Sequence, residues 1–299
     1  MHFSLVKLNP PESQPSHGFD DVILPLFHAL SRLGYKAEIL FNRVNPKSRN
    51  IVFGSCISPA RAGRMLPPGS IIFNLEQISP DSKWCNAQYL AQLRAFSVWD
   101  YSGANIDALR RHGVRDLTHV PLAYVPEMTR LKPEYPQDVD ALFYGLITER
   151  RDVAIRALHG AGVHILASQD AFGDLRDKLL AHSRLVLNIH HFVPARLEIV
   201  RLGYVWANKK AVVSERGADT EVPAHLEEAC LCTLLMKSLA RLCRGFWPTK
   251  DAWKKQPLRV LPPSLPCAWK IVWKRLSDAE IFLRVRLWHG VQRAEGKKI

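Results

Sequence analysis

The sequence predicts an α/β chain of two Rossmann-like, doubly wound domains followed by an atypical basic, Trp- and Pro-rich C-terminal tail. Three observations carry this. Short β-branched runs alternate with amphipathic helical runs from Phe3 to Ser214, the pattern of parallel sheets with crossover helices. One stretch, 125–140, breaks the alternation with Pro126, Pro133 and Pro136 and few apolar residues. Beyond residue 232 the alternation stops, and charge and tryptophan content change together.

Taken in order, Phe3–Leu8 reads as a strand, and a helix follows over 22–33. Ile23, Leu24, Phe27, Leu30 and Leu33 stand there at helical spacing, and Gly34 ends it. Strands are expected at Lys36–Phe41, Ile51–Cys56, Ile71–Ile78, Ser97–Tyr101 and Leu117–Pro121, with helices over 84–95 and 104–112, the latter stopped by Gly113. After the linker come strand Ala141–Leu146, helix 149–160, strand Val163–Ala167, helix 172–182 and strand Arg184–Ile189. Helix 194–207, with Pro194 in the first position that suits proline, and strand Ala211–Ser214 complete the series. The expected domains are 1–124 and an incomplete 141–232, joined by linker 125–140 and followed by tail 233–299.

Composition bounds the chemistry. Of 299 residues, 47% are hydrophobic and 23% charged, which excludes disorder over the whole length. No apolar run reaches the roughly 18 residues that span a bilayer. The N-terminus turns polar too early for a secretory signal, so the expected compartment is the cytoplasm. Residues 233–299 hold 15 Lys/Arg against 4 Asp/Glu, which is +11 of the net +13. The basicity therefore belongs to the tail, and the body is nearly neutral. Cys56, Cys85, Cys230, Cys232, Cys243 and Cys267 form no CxxC pair and no zinc pattern, so free thiols are expected and neither a metal nor a cofactor.

Ligands of doubly wound sheets lie at the carboxyl ends of strands, over helix N-termini, and that rule ranks the loops. In Tyr144-Gly145-Leu146-Ile147-Thr148-Glu149-Arg150-Arg151 a strand ends in a glycine, and the following helix carries two arginines in its first turn. Arginines there oppose the helix dipole and call for an anion, either a bound phosphate or the neighbouring Glu149 and Asp152. A second loop, Asn188-Ile189-His190-His191-Phe192-Val193-Pro194, precedes Glu198 and Arg201, three apart on one face. These four side chains are expected to touch phosphate or sugar, although Glu198–Arg201 is also a simple i,i+3 ion pair. In the first domain, His17, Glu76 and Asp100 end strand or loop segments and are candidate general bases. No GxGxxG or GKS/T motif is present, so dinucleotide and P-loop sites are not expected.

The run from about 71 to 228 resembles bacterial GT-B-type glycosyltransferases, specifically the glycosyl transferase group 1 proteins related to spore-maturation proteins. The residues that carry it are Val98-Trp99-Asp100-Tyr101-Ser102, Gly113, Val120-Pro121-Leu122 and Asp140-Ala141-Leu142-Phe143-Tyr144-Gly145. Above all they are Leu187-Asn188-Ile189-His190, Glu198, Arg201, Tyr204 and Ala207 through Glu215. The resemblance implies a GT-B fold and a metal-independent glycosyltransferase needing no cofactor besides its nucleotide-diphosphate sugar. It implies a donor lying in the interdomain cleft, its diphosphate near the helix N-terminus after Pro194 and near Gly145, with Gly145, Arg150, Arg151, His190, His191, Glu198 and Arg201 as donor-binding residues. The acceptor is a glycan, lipid or protein approached by His17 or Glu76 from the first domain. Two departures stand out. Where many relatives carry a ribose-binding glutamate this chain has Gly203, leaving Glu198 as the substitute, and the tail lacks the helix that returns to the first domain.

Three readings of the tail stand side by side. Trp247, Trp253, Trp269, Trp273 and Trp288 lie among lysines and arginines, which suits an anionic membrane surface or non-specific nucleic-acid contact. Under that reading the chain is a non-catalytic or degenerate GT-B-like protein. The tail is otherwise a folded closure with a helix over 278–293, or the product of a shifted reading frame on an enzyme left inactive. No specific nucleic-acid partner is expected.

Overall fold

The computed structural model describes residues 1–9, 17–80, 82–132, 135–191, 197–215 and 230–233. Each reading of the tail, and the proposed helix start at Pro194, lies outside the described residues. The chain divides into two compact units, the first running Met1–Glu127 and the second beginning at Met128. The division falls inside the Pro-bearing stretch 125–140.

The first unit is a six-stranded sheet built from β1 (His2–Lys7), β2 (Lys36–Phe41), β3 (Arg49–Phe53), β4 (Ile71–Asn74), β5 (Ser97–Asp100) and β6 (Leu117–His119). Its order is β2-β1-β3-β4-β5-β6, and every pairing is parallel. The helices are α1 (Asp20–Arg32), α2 (Pro59–Met65), α3 (Ala87–Ala95) and α4 (Gly103–Arg111). Helix α1 buries Val22, Ile23, Leu26, Ala29 and Leu30 along one stripe, and Gly34 at φ 81° releases the chain from it. Asn86 and Ser102 cap α3 and α4 by accepting from the backbone N–H of Tyr89 and Asn105. The core between sheet and helices is Val6, Val52, Ile72, Tyr89, Leu93, Val98 and Leu109.

The second unit holds β7 (Val139–Tyr144), β8 (Ile165–Ser168), β9 (Ser183–Asn188), β10 (Ala211–Glu215) and β11 (Cys230–Thr233), ordered β11-β10-β9-β7-β8 and all parallel. The helices are α5 (Glu149–Gly160), α6 (Gly173–His182) and α7 (Ile199–Ala207). Phe143, Leu158, Leu185, Leu187 and Val213 form its core. In each unit the first strand pairs with the next two on opposite sides. The strand order therefore reverses between β1 and β3 and again between β7 and β9, the places where such sheets open a crevice.

The structure departs from the expectations at five elements. The strand from Ile51 ends at Phe53, because Gly54 at φ 78° turns the chain where its backbone touches Leu8 and Phe19. The strand from Ile71 ends at Asn74 rather than Ile78. Helix α2 and strand β11 were not expected from the sequence. Helix α7 begins at Ile199, so Glu198 is its N-cap and not a residue of its face.

Two polar side chains are built into the second unit's frame. Asn208, just past α7, accepts from the backbone N–H of Arg130 (2.7 Å) and Leu131 (3.0 Å) and donates to Met128 O (2.9 Å). Lys210 is buried, and its Nζ donates to Ala181 O (3.2 Å) and Ser183 O (2.7 Å) at the end of α6. Burial pushes its ammonium down from an ordinary 10.5 to about 8. A lysine whose folded value is lowered binds fewer protons folded than unfolded between those values, so stability rises with pH there. Urea denaturation of the protein is expected to show increasing stability from pH 8 to 10, with that slope reduced in Lys210→Met.

Candidate functional site

The β7–β9 pairing runs through Leu142 and Val186 and stops short of the carboxyl ends of both strands, where backbone carbonyls of the strand ends and following loops face polar side chains. Arginine side chains take these carbonyls up. Arg151 donates Nε to Ile189 O (2.9 Å), Nη1 to Leu146 O (2.9 Å) and Nη2 to Glu198 Oε1 (2.7 Å). Its side chain is only 4% exposed and lies 5.3 Å over the Phe143 ring. Arg201, on α7, donates to Tyr144 O, to the Asn188 carboxamide and to Glu198 Oε2 (2.8 Å). Glu198 thus bridges two guanidiniums, and both its oxygens are engaged.

Arg150 completes the group from the other side. Its Nη1 reaches His190 O (3.0 Å), and its fork holds Glu215 through both oxygens at 2.8 and 2.9 Å. Glu215 also accepts from the His190 backbone N–H at 2.8 Å. Neither arginine of the α5 first turn relies on Glu149 or Asp152. Asp152 pairs instead with Arg156, one turn on.

The electrostatics favour an anion. Guanidiniums of Arg150, Arg151 and Arg201 face the carboxylates of Glu198 and Glu215, one positive charge in excess. Burial, together with Arg201 and Arg150, pushes the Arg151 guanidinium down, and Glu198 pushes back. Burial also lowers His190 against the pull of Glu215 and Glu198, so its imidazole is neutral at pH 7. Three buried atoms here, Thr148 Oγ1, His190 Nε2 and Arg201 Nε, have no hydrogen-bond partner among the described residues. Buried polar atoms are nearly always paired, so orphans gathered at one strand end mark a place for a polar ligand. Gly145 stands beside them at φ 124°, and a Cβ there would lie 3.2 Å from Arg201 Nη1. Only glycine adopts that backbone without strain and leaves Arg201 in place.

The residues singled out in the second half, Gly145, Arg150, Arg151, His190, Glu198 and Arg201, converge on this strand end. His191 is half-buried beside it. Asn188 and Glu215 entered the sequence reading only within the run that carries the resemblance, and Thr148 only within its loop, although each ends a strand or opens a helix and is legible as a site residue by that rule.

In the first unit, Glu76 and Asp100 are linked through Asn74 and Asn105, whose amides donate to both, while His17 belongs to another segment. His17 lies in a short 3-10 turn ahead of α1, half-exposed, with Nδ1 3.5 Å from Asp20. Asp20 also accepts from Lys7 Nζ at 2.7 Å, and Lys7 is buried at the end of β1. Glu76 follows β4 and accepts from Cys56 Sγ at 3.7 Å. Burial pushes its carboxyl up, while Cys56 and Lys83 hold it back. Asp100 is fully buried, accepting from Asn74, Asn105 and the Ser102 backbone, which marks it as a structural hydrogen-bond centre.

No family model matches the sequence. A stretch of 127 residues is 29% identical to an uncharacterized protein of Acanthamoeba polyphaga mimivirus. The match takes in 40% of this chain and spans 40% of that relative's length. Among solved structures, T4 phage BGT in complex with UDP and Mn2+ superposes with a TM-score of 0.53 at 13% identity, over 93% of this chain and 96% of that one. A glycosyltransferase involved in avilamycin A biosynthesis superposes at 0.51 with 15% identity, over 94% and 98%. At such identities the likeness establishes the fold: two parallel α/β units, as in GT-B glycosyltransferases.

The two α5 arginines should separate in stability. Arg151→Met leaves the buried Ile189 carbonyl without its donor and Glu198 with Arg201 alone, and is expected to cost about 2–3 kcal/mol. Arg150→Met breaks a half-exposed pair, costing about 1 kcal/mol or less. Urea unfolding of both variants checks the order.

Proposed function

We propose that the chain is a glycosyltransferase that moves a sugar from a nucleotide-diphosphate sugar to an acceptor hydroxyl. The observation that carries this is the electropositive strand end of the second unit, where three arginines outnumber two carboxylates beside unpaired buried donors and acceptors. Group transfer from a nucleotide sugar leaves charge on the departing diphosphate. Fixed guanidiniums, the N-terminus of α5 and the Thr148 hydroxyl are suited to stabilise it. Arg150, the most exposed of the three at 39%, is the proposed direct contact. Arg151 and Arg201 hold the strand ends in place, and Glu198 aligns them both. Charge neutralisation on these side chains supports a metal-independent transfer. His190, neutral and with a free Nε2, is suited to bind a hydroxyl or phosphate oxygen.

The T4 phage protein was solved in complex with UDP, which makes UDP the first ligand to try. The finer placement in the spore-maturation-like group rests on the Leu187–Glu215 run. On the acceptor side the proposed bases are Glu76, whose raised carboxyl is the better proton acceptor, and His17, oriented by Asp20.

Calorimetry with UDP-, GDP- and dTDP-sugars tests the donor, run with Mn2+ and again with a chelator. The expected result is binding to at least one donor, unaffected by the chelator and weakened about tenfold or more in Arg150→Ala. Heat from none of them, with folded protein, overturns the proposal. For the base, transfer by the intact protein is expected to fall on the acid side with a midpoint above the ordinary glutamate value of 4.5. Activity should drop strongly in Glu76→Gln, and a profile unchanged in that variant assigns the proton to His17.

A further inference from the structure

Glu215 ends β10, and the register of β10 with β9 sets Ser214 against Asn188. The residue after Ser214 therefore stands level with Ile189 and His190, at the lip of the arginine cluster. Its side chain is 12% exposed and is held from two directions, by the Arg150 fork and by the His190 backbone N–H. Arg150 has no second anion among the described residues, although its Nη1 also donates to His190 O at 3.0 Å, whereas Arg151 and Arg201 share Glu198 and are largely buried.

We propose that Glu215 is a positioning residue that holds Arg150 in reserve and yields it to the ligand, so that phosphate binding is an exchange of one anion for another. This rests on the nucleotide-diphosphate reading of the same site. Bidentate pairing with a carboxylate presents the guanidinium in the planar geometry a phosphate also uses, so the fork is already oriented. The pair is half-exposed on the arginine side, and such pairs are weak, so a diphosphate carrying more charge displaces the carboxylate. Glu215 keeps the His190 N–H after the exchange and stays in the site as a nearby negative charge. That charge opposes a ligand held too long, which favours release of the diphosphate product. Arg151 and Arg201, 4% and 12% exposed, are less accessible to a ligand, and releasing Arg151 would leave the buried bond to Ile189 O unmade.

The test compares affinity for UDP and for inorganic pyrophosphate in the wild-type chain, Glu215→Gln, Arg150→Gln and the double variant. Glu215→Gln keeps an oxygen for the His190 N–H but no charge for Arg150, and is expected to bind both ligands about five- to tenfold tighter. In the Arg150→Gln background the same change should give little gain, because no fork remains to be freed. An equal gain in both backgrounds shows a general charge effect and overturns the exchange. Equal or weaker binding by Glu215→Gln also overturns it, while wild-type binding leaves the diphosphate reading standing. Binding by none of the four chains defeats that reading and this one together. Should Glu215→Gln not fold, Glu215→Asp, which withdraws the carboxylate by one methylene, is expected to tighten binding about threefold, and no tightening overturns the exchange.

Discussion

The second unit is organised by one constraint: parallel strands whose pairing stops short of their ends must find partners for the carbonyls there. At β7 and β9 the carbonyls of Tyr144, Leu146, Ile189 and His190 are met by guanidiniums. An arginine serves this purpose well because its donors are fixed in a plane and several carbonyls can be met at once. The chain thereby gathers cations where the strand order reverses, and the structural need and the proposed binding role have the same origin. Phe143 supplies the floor, with Arg151 and Arg201 within cation–π reach of its ring.

The first unit repeats the strand order but resolves its own reversal differently. There Lys7 is buried against Asp20, and a Cβ on Gly54 would meet both Leu8 O and the Phe19 ring at 2.6 Å. The polar weight of the unit sits instead under β4 and β5, where Asn74, Asp100 and Asn105 bond to one another and Tyr89 adds its hydroxyl at 2.9 Å. Glu76 borders this network, with its backbone oxygen accepting from both asparagine amides at 2.9 Å. Its carboxyl is therefore held at a defined place, with the Cys56 thiol donating to it from the other side. The same topology thus yields a charged strand end in one unit and a packed polar core in the other.

The alternation of apolar runs makes most of this fold readable from the sequence, because sheet and helix periods differ and each strand carries its own burial pattern. What escapes is local. Helix α2 buries only Ala62, so it shows no apolar stripe to detect. Strand ends at Phe53 and Asn74 are set by a glycine turn and by side-chain hydrogen bonds, neither of which interrupts an apolar run. At the site, Gly145, Arg150 and Arg201 are legible as strand-end and helix-start residues. The division of labour among them is not. Arg151 and Arg150 are adjacent in sequence, yet one is 4% and the other 39% exposed, a difference that only the position of β9 relative to α5 decides. Glu215 acquires its partners through the pairing of β10 with β9, a contact 25 residues apart that no local pattern encodes.

Helix α7 is fastened at both ends. Arg201, in its first turn, is tied to the strand ends, and Asn208, just beyond its last, is stitched to Met128, Arg130 and Leu131. A rod pinned in this way cannot slide or tilt at one end without dragging the other. Any rearrangement of the arginine cluster is thus mechanically shared with the segment through which the polypeptide enters the second unit, with the rigid helix serving as the lever arm.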